Sequence, residues 1–129
     1  MITKDEIQEL LHSTETYRVE RTTSTGDMDK FQEAICAFAN DLPNSRKNGY
    51  LILGAYDNGT LSGLKVTDDL LKKIAAIRSN GNILPIPVMS VDRFQFPEGD
   101  LLVPRSVRPT YLLFAIVVAR LYVSVLVAT

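Results

Sequence analysis

Residues 50–56 read Tyr-Leu-Ile-Leu-Gly-Ala-Tyr, and Asp57-Asn58-Gly59-Thr60 follows at once. An apolar run this continuous does not alternate wet and dry faces. It predicts a strand buried on both sides, the centre of a sheet covered by other elements. Asp-Asn-Gly is tight-turn chemistry, with Gly59 where a positive φ is wanted. Leu61 to Leu64 is then expected to be the return strand of a hairpin.

The flanking segments supply the cover. Thr3-Lys4-Asp5-Glu6 reads as a capping box that starts a helix near 3–11, with Ile7, Leu10 and Leu11 as its apolar stripe. Tyr17 and Val19 alternate with Arg18 and Glu20, the pattern of a strand with one wet face. Thr22 to Gly26 is a polar loop. Asp27 or Asp29 can cap a helix near 28–40, where Phe31, Ile35 and Phe38 share a face. Asn40 to Asn48 breaks the pattern with Pro43 and the basic pair Arg46-Lys47. A third amphipathic helix is expected near 67–79, with Leu70, Leu71, Ile74 and Ile77 inside and Asn80-Gly81 as its stop. Pro85 and Pro87 allow only an extended or edge segment. Val88 to Phe96 is a further strand. The order β-α-β-β-α-β predicts an α/β (α+β) fold, a mixed β-sheet with helices packed on it.

Composition bounds the function. At 129 residues, 46% hydrophobic and 22% charged, the chain is one globular domain. Its net charge of −1 excludes wrapping of duplex DNA by bulk electrostatics, so any nucleic-acid contact must be a local patch. The polar, acidic start is no signal peptide, and the one cysteine, Cys36, fits a reducing compartment. The expected location is cytoplasmic. Cys36 is expected to be a buried core thiol. His12 is the only histidine, so a His/Cys zinc site is not expected.

Three features carry chemistry. Glu15 and Glu20 are separated by four residues and stand beside Arg18 and Arg21. Ala37-Phe38-Ala39-Asn40 ends a helix and leaves Asn40 exposed. Asn48-Gly49-Tyr50-Leu51-Ile52-Leu53-Gly54 runs into Asp57-Asn58-Gly59 and Gly63-Leu64. This ordered set resembles the Schlafen AlbA-type domain, a DNA- or RNA-binding module of many bacterial regulators and of Schlafen proteins. That family's pattern runs roughly E-x4-E-F-K, a helix ending A-F-A-N, then G-G-x-L-x-I-G-V-x-D-x-G, then G-L. The match covers about half the chain. Two positions depart from it: F-K is Arg21-Thr22 here, and the first glycine of the pair is Asn48, which still tolerates a left-handed backbone.

The resemblance implies a nucleic-acid-binding domain, the N-terminal module of a bacterial transcriptional regulator. Arg18, Arg21, Arg46 and Lys47 are the candidate phosphate contacts if they share a face, with Asn40 and Gly49 beside them. Gly49 would let a backbone approach a phosphate closely. DNA or RNA is the expected partner, no membrane is expected, and a homo-oligomer is left open. In some animal Schlafen proteins the residues matching Glu15, Glu20 and Asp57 cut RNA. The alternative is therefore a metal-dependent nuclease in which Glu15, Glu20 and Asp57 are catalytic and hold Mg²⁺ or Mn²⁺. An offset of five puts Glu15 and Glu20 on opposite faces of one strand, so they converge only if Glu15 precedes the strand or a bulge intervenes. The bland readings are solvated glutamates, an Asp57 that only makes a turn, and a protein-interaction module without catalysis. No cofactor is expected otherwise: no Gly-Lys-Ser/Thr follows the glycines, so a P-loop for ATP is not supported.

The last quarter is anomalous. After Asp100 there is no acidic residue, and Leu112 to Thr129 is nearly all apolar around Arg120. A membrane span is opposed by the central Arg120 and the missing basic flank. A buried strand pair is opposed by the lack of turn residues. The third reading divides the chain at 103/104: residues 1–103 are an incomplete Schlafen AlbA-type domain, and 104–129 are a truncating tail in a shifted reading frame. Joining the last base of each codon to the first two of the next permits L-P-P-V-R-Y, then G-R, then I-R-V-G. That resembles the stretch with which the family continues. The expected outcome is that the gene's nucleotide sequence spells this segment in an alternative frame from near Leu102 to Pro104. A gene sequence with no such frame removes the idea.

Overall fold

The computed structural model describes residues 2–12, 19–40, 48–79, 83–84, 88–107, 115–118 and 121–124. Its helices begin where the side chains can cap them. Helix α1 spans Lys4–His12, and the Thr3 hydroxyl accepts from the Glu6 N–H at 3.2 Å and donates to Glu6 Oε1 at 3.3 Å. Helix α2 spans Met28–Asn40, and Asp27 Oδ1 accepts from the Lys30 N–H at 3.2 Å. Helix α3 spans Asp68–Ala75; Thr67 caps it through the Leu70 N–H, and a 3₁₀ turn, Ala76–Arg78, finishes it. Each cap satisfies an N–H that the first turn leaves without a helical partner.

The strands are β1 (Val19–Thr22), β2 (Gly49–Leu53), β3 (Ile83–Leu84), β4 (Val88–Phe96), β5 (Gly99–Val107), β6 (Ala115–Val118) and β7 (Leu121–Ser124). Four of them form a mixed sheet in the order β1-β2-β5-β4, with β1 parallel to β2 and the other neighbours antiparallel. The backbone of β3, β6 and β7 makes a second, antiparallel sheet. The protein is therefore mixed α and β, as its periodicities predict.

Strand β2 is the centre. Leu51 and Leu53 point into a cluster with Phe31, Ile35 and Phe38 of α2 and Ile74 of α3. Ile52 points the other way, into a cluster with Ile7 and Leu11 of α1 and Leu101 and Val103 of β5. Alternation along a strand thus divides the core between two helical layers. Gly49 is part of that fit. A Cβ there would lie 2.1 Å from Cγ of Phe38, so helix and strand touch because the glycine has no side chain.

Three segments differ from the sequence expectation. Leu61 to Leu64 is not a return strand. Only the bridge Ala55↔Leu61 forms, and the Leu64 carbonyl accepts from the Asp100 N–H at 2.7 Å instead. Strand β5 takes the place beside β2 that the hairpin was expected to fill. It runs unbroken through Leu102 and Pro104, across the expected boundary at 103/104. Between Leu53↔Leu102 and Tyr50↔Arg105 the ladder to β2 passes Pro104, which has no N–H to donate. In the apolar tail the backbone takes the strand-pair form, from Ala115↔Ser124 to Val118↔Leu121. Among the described residues no helix is long and apolar enough to cross a membrane. Asn80, Gly81, Pro85 and Pro87 lie outside the described residues.

Gly49→Ala is expected to destabilise the fold by about 1–3 kcal/mol, the usual cost of overpacking. In a Phe38→Ala background the same change should cost little. Urea unfolding of the four variants checks the coupling.

Candidate functional site

Strands β1 and β2 run parallel, so their carboxyl ends lie side by side, and each chain must leave the sheet there. Beyond those ends is a cavity of about 210 Å³, lined by Arg21, Thr22, Thr23, Lys30, Ala55, Tyr56 and Asp57. The crevice outside the carboxyl ends of strands is where open α/β sheets bind ligands. Two backbone bonds hold its floor: the Thr22 carbonyl accepts from the N–H groups of Gly54 at 2.8 Å and Ala55 at 3.3 Å.

The wall formed by residues 56–60 is a closed turn. The Tyr56 N–H donates to Thr60 O at 2.8 Å, the Gly59 N–H to Tyr56 O at 2.9 Å, and the Thr60 N–H to Asn58 Oδ1 at 2.9 Å. Gly59 has φ +88°, and a Cβ there would meet the Leu11 carbonyl at 2.3 Å. The turn is therefore seated on the end of α1. It presents Asp57 exposed and leaves Tyr56 52% exposed, an aromatic ring at the mouth of a polar cavity.

Arg21 has a different place from the one expected. It is 5% exposed, beneath α1 on the same face of the sheet as Val19 and Ile52. Its Nε donates to the Asp57 carbonyl at 3.1 Å and its Nη1 to the Leu10 carbonyl at 3.0 Å. Two charge-assisted bonds to carbonyls offset part of the cost of burying the cation. The guanidinium ties the Asp57 turn to α1, which is a positioning role for Arg21 and not that of a surface phosphate contact.

Glu20 lies on the opposite face, toward α2, where Oε1 is 3.7 Å from Lys30 Nζ. Both side chains are partly exposed, so the pair contributes no more than about 1 kcal/mol. Lys30 can therefore turn to a bound anion at small cost. Asn40, expected to be exposed, is 5% exposed at the inner end of α2, its Nδ2 3.9 Å from Sγ of the buried Cys36. Gly49 is also buried, under Phe38. Neither reaches the cavity. Glu15, Arg18, Arg46 and Lys47 lie outside the described residues. Among the described residues no group of three His, Cys, Asp or Glu could hold a metal ion.

The structure thus brings Arg21 and Asp57 together, with Glu20 reaching the cavity through Lys30. It adds Lys30, Thr23 and Tyr56, which the sequence reading did not single out. Their signals were weak: Lys30 is a wet position in the first turn of α2, and Tyr56 is the last residue of an otherwise buried run.

Comparison with known proteins bears on this arrangement. The model of the family described as Schlafen, AlbA_2 matches residues 15–120. Among solved structures, the chain is similar to the N-terminal domain of a RecG-related protein from Nitrosomonas europaea, described as related to an ATP-dependent DNA helicase. The two share 23% identity and a TM-score of 0.57, over 78% of this chain and 72% of that one. None of the curated proteins matches.

Arg21→Met is expected to destabilise the protein by about 1–3 kcal/mol, because it leaves two carbonyls without their donor. Amide exchange should accelerate in 56–60 and at the end of α1 more than in β5. Uniform acceleration would mean that Arg21 does not act on the turn.

Proposed function

Since the chain belongs to the Schlafen, AlbA_2 family, we propose that it binds nucleic acid at the cavity beyond β1 and β2. The observation that carries this reading is the pairing of an exposed aromatic ring with a lightly held cation. Tyr56 is open at the mouth, and Lys30 lines the same cavity with Thr22 and Thr23. A base stacks on an aromatic face whatever its sequence, at about 1–3 kcal/mol per base. Lys30 exchanges Glu20 for a phosphate, and the Thr23 side chain, exposed beside it, can donate to a phosphate oxygen.

This chemistry suits a single strand. Its bases are unstacked, and it needs no large basic surface, in keeping with a net charge of −1. Arg18, Arg46 and Lys47 extend the phosphate contacts in this reading, and Arg21 positions the Asp57 turn. The biological setting that fits is the N-terminal module of a larger bacterial transcriptional regulator working in the cytoplasm. The RecG-related relative, itself an N-terminal domain, supports the modular part of that reading.

Fluorescence anisotropy with labelled twelve-nucleotide DNA and RNA strands tests it. Binding is expected to weaken steeply with salt. Tyr56→Ala should lower affinity by about 5–150-fold, the equivalent of a lost stack. Lys30→Ala should reduce the slope of log affinity against log salt by about 0.7, one phosphate on a single strand. Absence of binding at low salt, or variants that bind like the parent chain, would sink the proposal. Strand cleavage that needs Mg²⁺ or Mn²⁺ and disappears in Glu20→Gln would replace it with the nuclease reading.

A further inference from the structure

Strand β4 is the outer strand of the four-stranded sheet, on the edge opposite β1. Among the described residues its nine positions pair with β5 alone. The register decides which backbone groups it turns outward. Bonded and non-bonded pairs alternate along an antiparallel ladder. The Asp100 N–H donates to the Leu64 carbonyl, on the side away from β4. Asp100 and its partner Gln95 are therefore a non-bonded pair. Gln95, and Arg93 two residues before it, point their N–H and C=O groups out of the sheet.

The same two residues line a cavity of about 410 Å³ together with Lys4 and Phe94. Lys4 Nζ stands 4.9 Å from the centre of the Phe96 ring, which favours a cation there. Neither Lys4 nor Arg93 has an ion-pair partner among the described residues. The groove thus offers backbone donors, backbone acceptors and two cations.

We propose that the outer edge of β4 at Arg93 and Gln95 takes up an extended, acidic peptide segment of a partner protein as an added strand. A peptide supplies alternating C=O and N–H groups that match those of Arg93 and Gln95. Phe94 and Phe96 pack on the α1 side and Met89 and Val91 on the other, so a carboxylate on one face of the added strand meets Lys4 and one on the opposite face meets Arg93. A nucleic-acid backbone offers phosphate acceptors but no alternating N–H groups to pair with the outward carbonyls; its one donor, in RNA, is the 2′-hydroxyl. A second copy of this chain, paired about a two-fold axis at 93–95, gathers both copies' Lys4 and Arg93 in one groove, and like charges oppose it. The site is separate from the cavity beyond β1 and β2 and does not depend on nucleic-acid binding there.

The test is an NMR titration of the labelled full chain with a blocked nonapeptide in which pairs of glutamates alternate with pairs of valines, so that both faces of the added strand carry carboxylates. Amide shifts are expected at Lys4 and in 92–96. A peptide with lysine in place of glutamate should leave them unmoved. Lys4→Glu and Arg93→Glu, both at exposed positions, should each weaken binding by about tenfold or more. Gln95→Pro removes an outward N–H while sparing the β4–β5 ladder, and should abolish binding with the fold intact by thermal melting. Lys30→Ala should change nothing here. No shifts, shifts elsewhere, or equal binding of both peptides would overturn the proposal. So would displacement of the peptide by a nine-nucleotide thymidine strand, or self-association of the free chain that protects these amides.

Discussion

Leu51, Ile52 and Leu53 have no accessible surface, and three consecutive buried residues on one strand demand apolar partners on both faces. Most of the architecture answers that demand. Helices α2 and α3 cover the side of Leu51 and Leu53, while α1 covers the side of Ile52. Burying one such side chain contributes about 1.5–3 kcal/mol, so β2 alone justifies two layers of helix. It also needs hydrogen-bonding neighbours along both edges. Strand β1 meets one edge in parallel, and β5 meets the other in the antiparallel sense. The parallel pair creates the candidate site, because only a parallel pair ends both chains at the same edge.

The site is built from residues that the core does not consume. Tyr56 is the exposed residue of its run, and Lys30 occupies a wet position on a helix whose other face is packed. Arg21 is the exception, a charge taken into the protein to tie a turn to a helix. The strength of that tie follows from the surroundings: two carbonyls, from Leu10 and Asp57, with little water to compete. Gly59 completes the seat, since any side chain there would strike α1. The position of Asp57 is thus set by contacts on the far side of the turn, away from the cavity that it borders.

Local chemistry made much of the fold legible. Thr3 and Asp27 cap the first two helices where their positions before apolar stripes predict, and the third helix begins at the expected place, with Thr67 as its cap. Val88 to Phe96 is a strand over the expected residues. Strand β5 was hidden because Pro104 argues against a central strand by its own chemistry, yet its missing N–H falls where the ladder can spare a bond. The return strand expected at 61–64 failed for the complementary reason. The residues allow a hairpin, but Asp100 claims the Leu64 carbonyl and the Val66 N–H. In the site, Asp57 could be read from the turn and Glu20 from the family pattern. Lys30 and Tyr56 could not, since nothing in a linear sequence says that residues 26 apart share a cavity.

By itself, the amino-acid sequence determined the helices, the central strand, the turn at 57–60 and the family, because each rests on side chains within a few residues or on an ordered motif. Only the tertiary structure decided that Arg21 is a buried tie, that Asn40 and Gly49 serve packing, and that β5 rather than 61–64 lies beside β2. Those outcomes depend on which groups meet across long separations. A cation is buried only where carbonyls from elsewhere receive it, and a strand joins a sheet only where an edge is free.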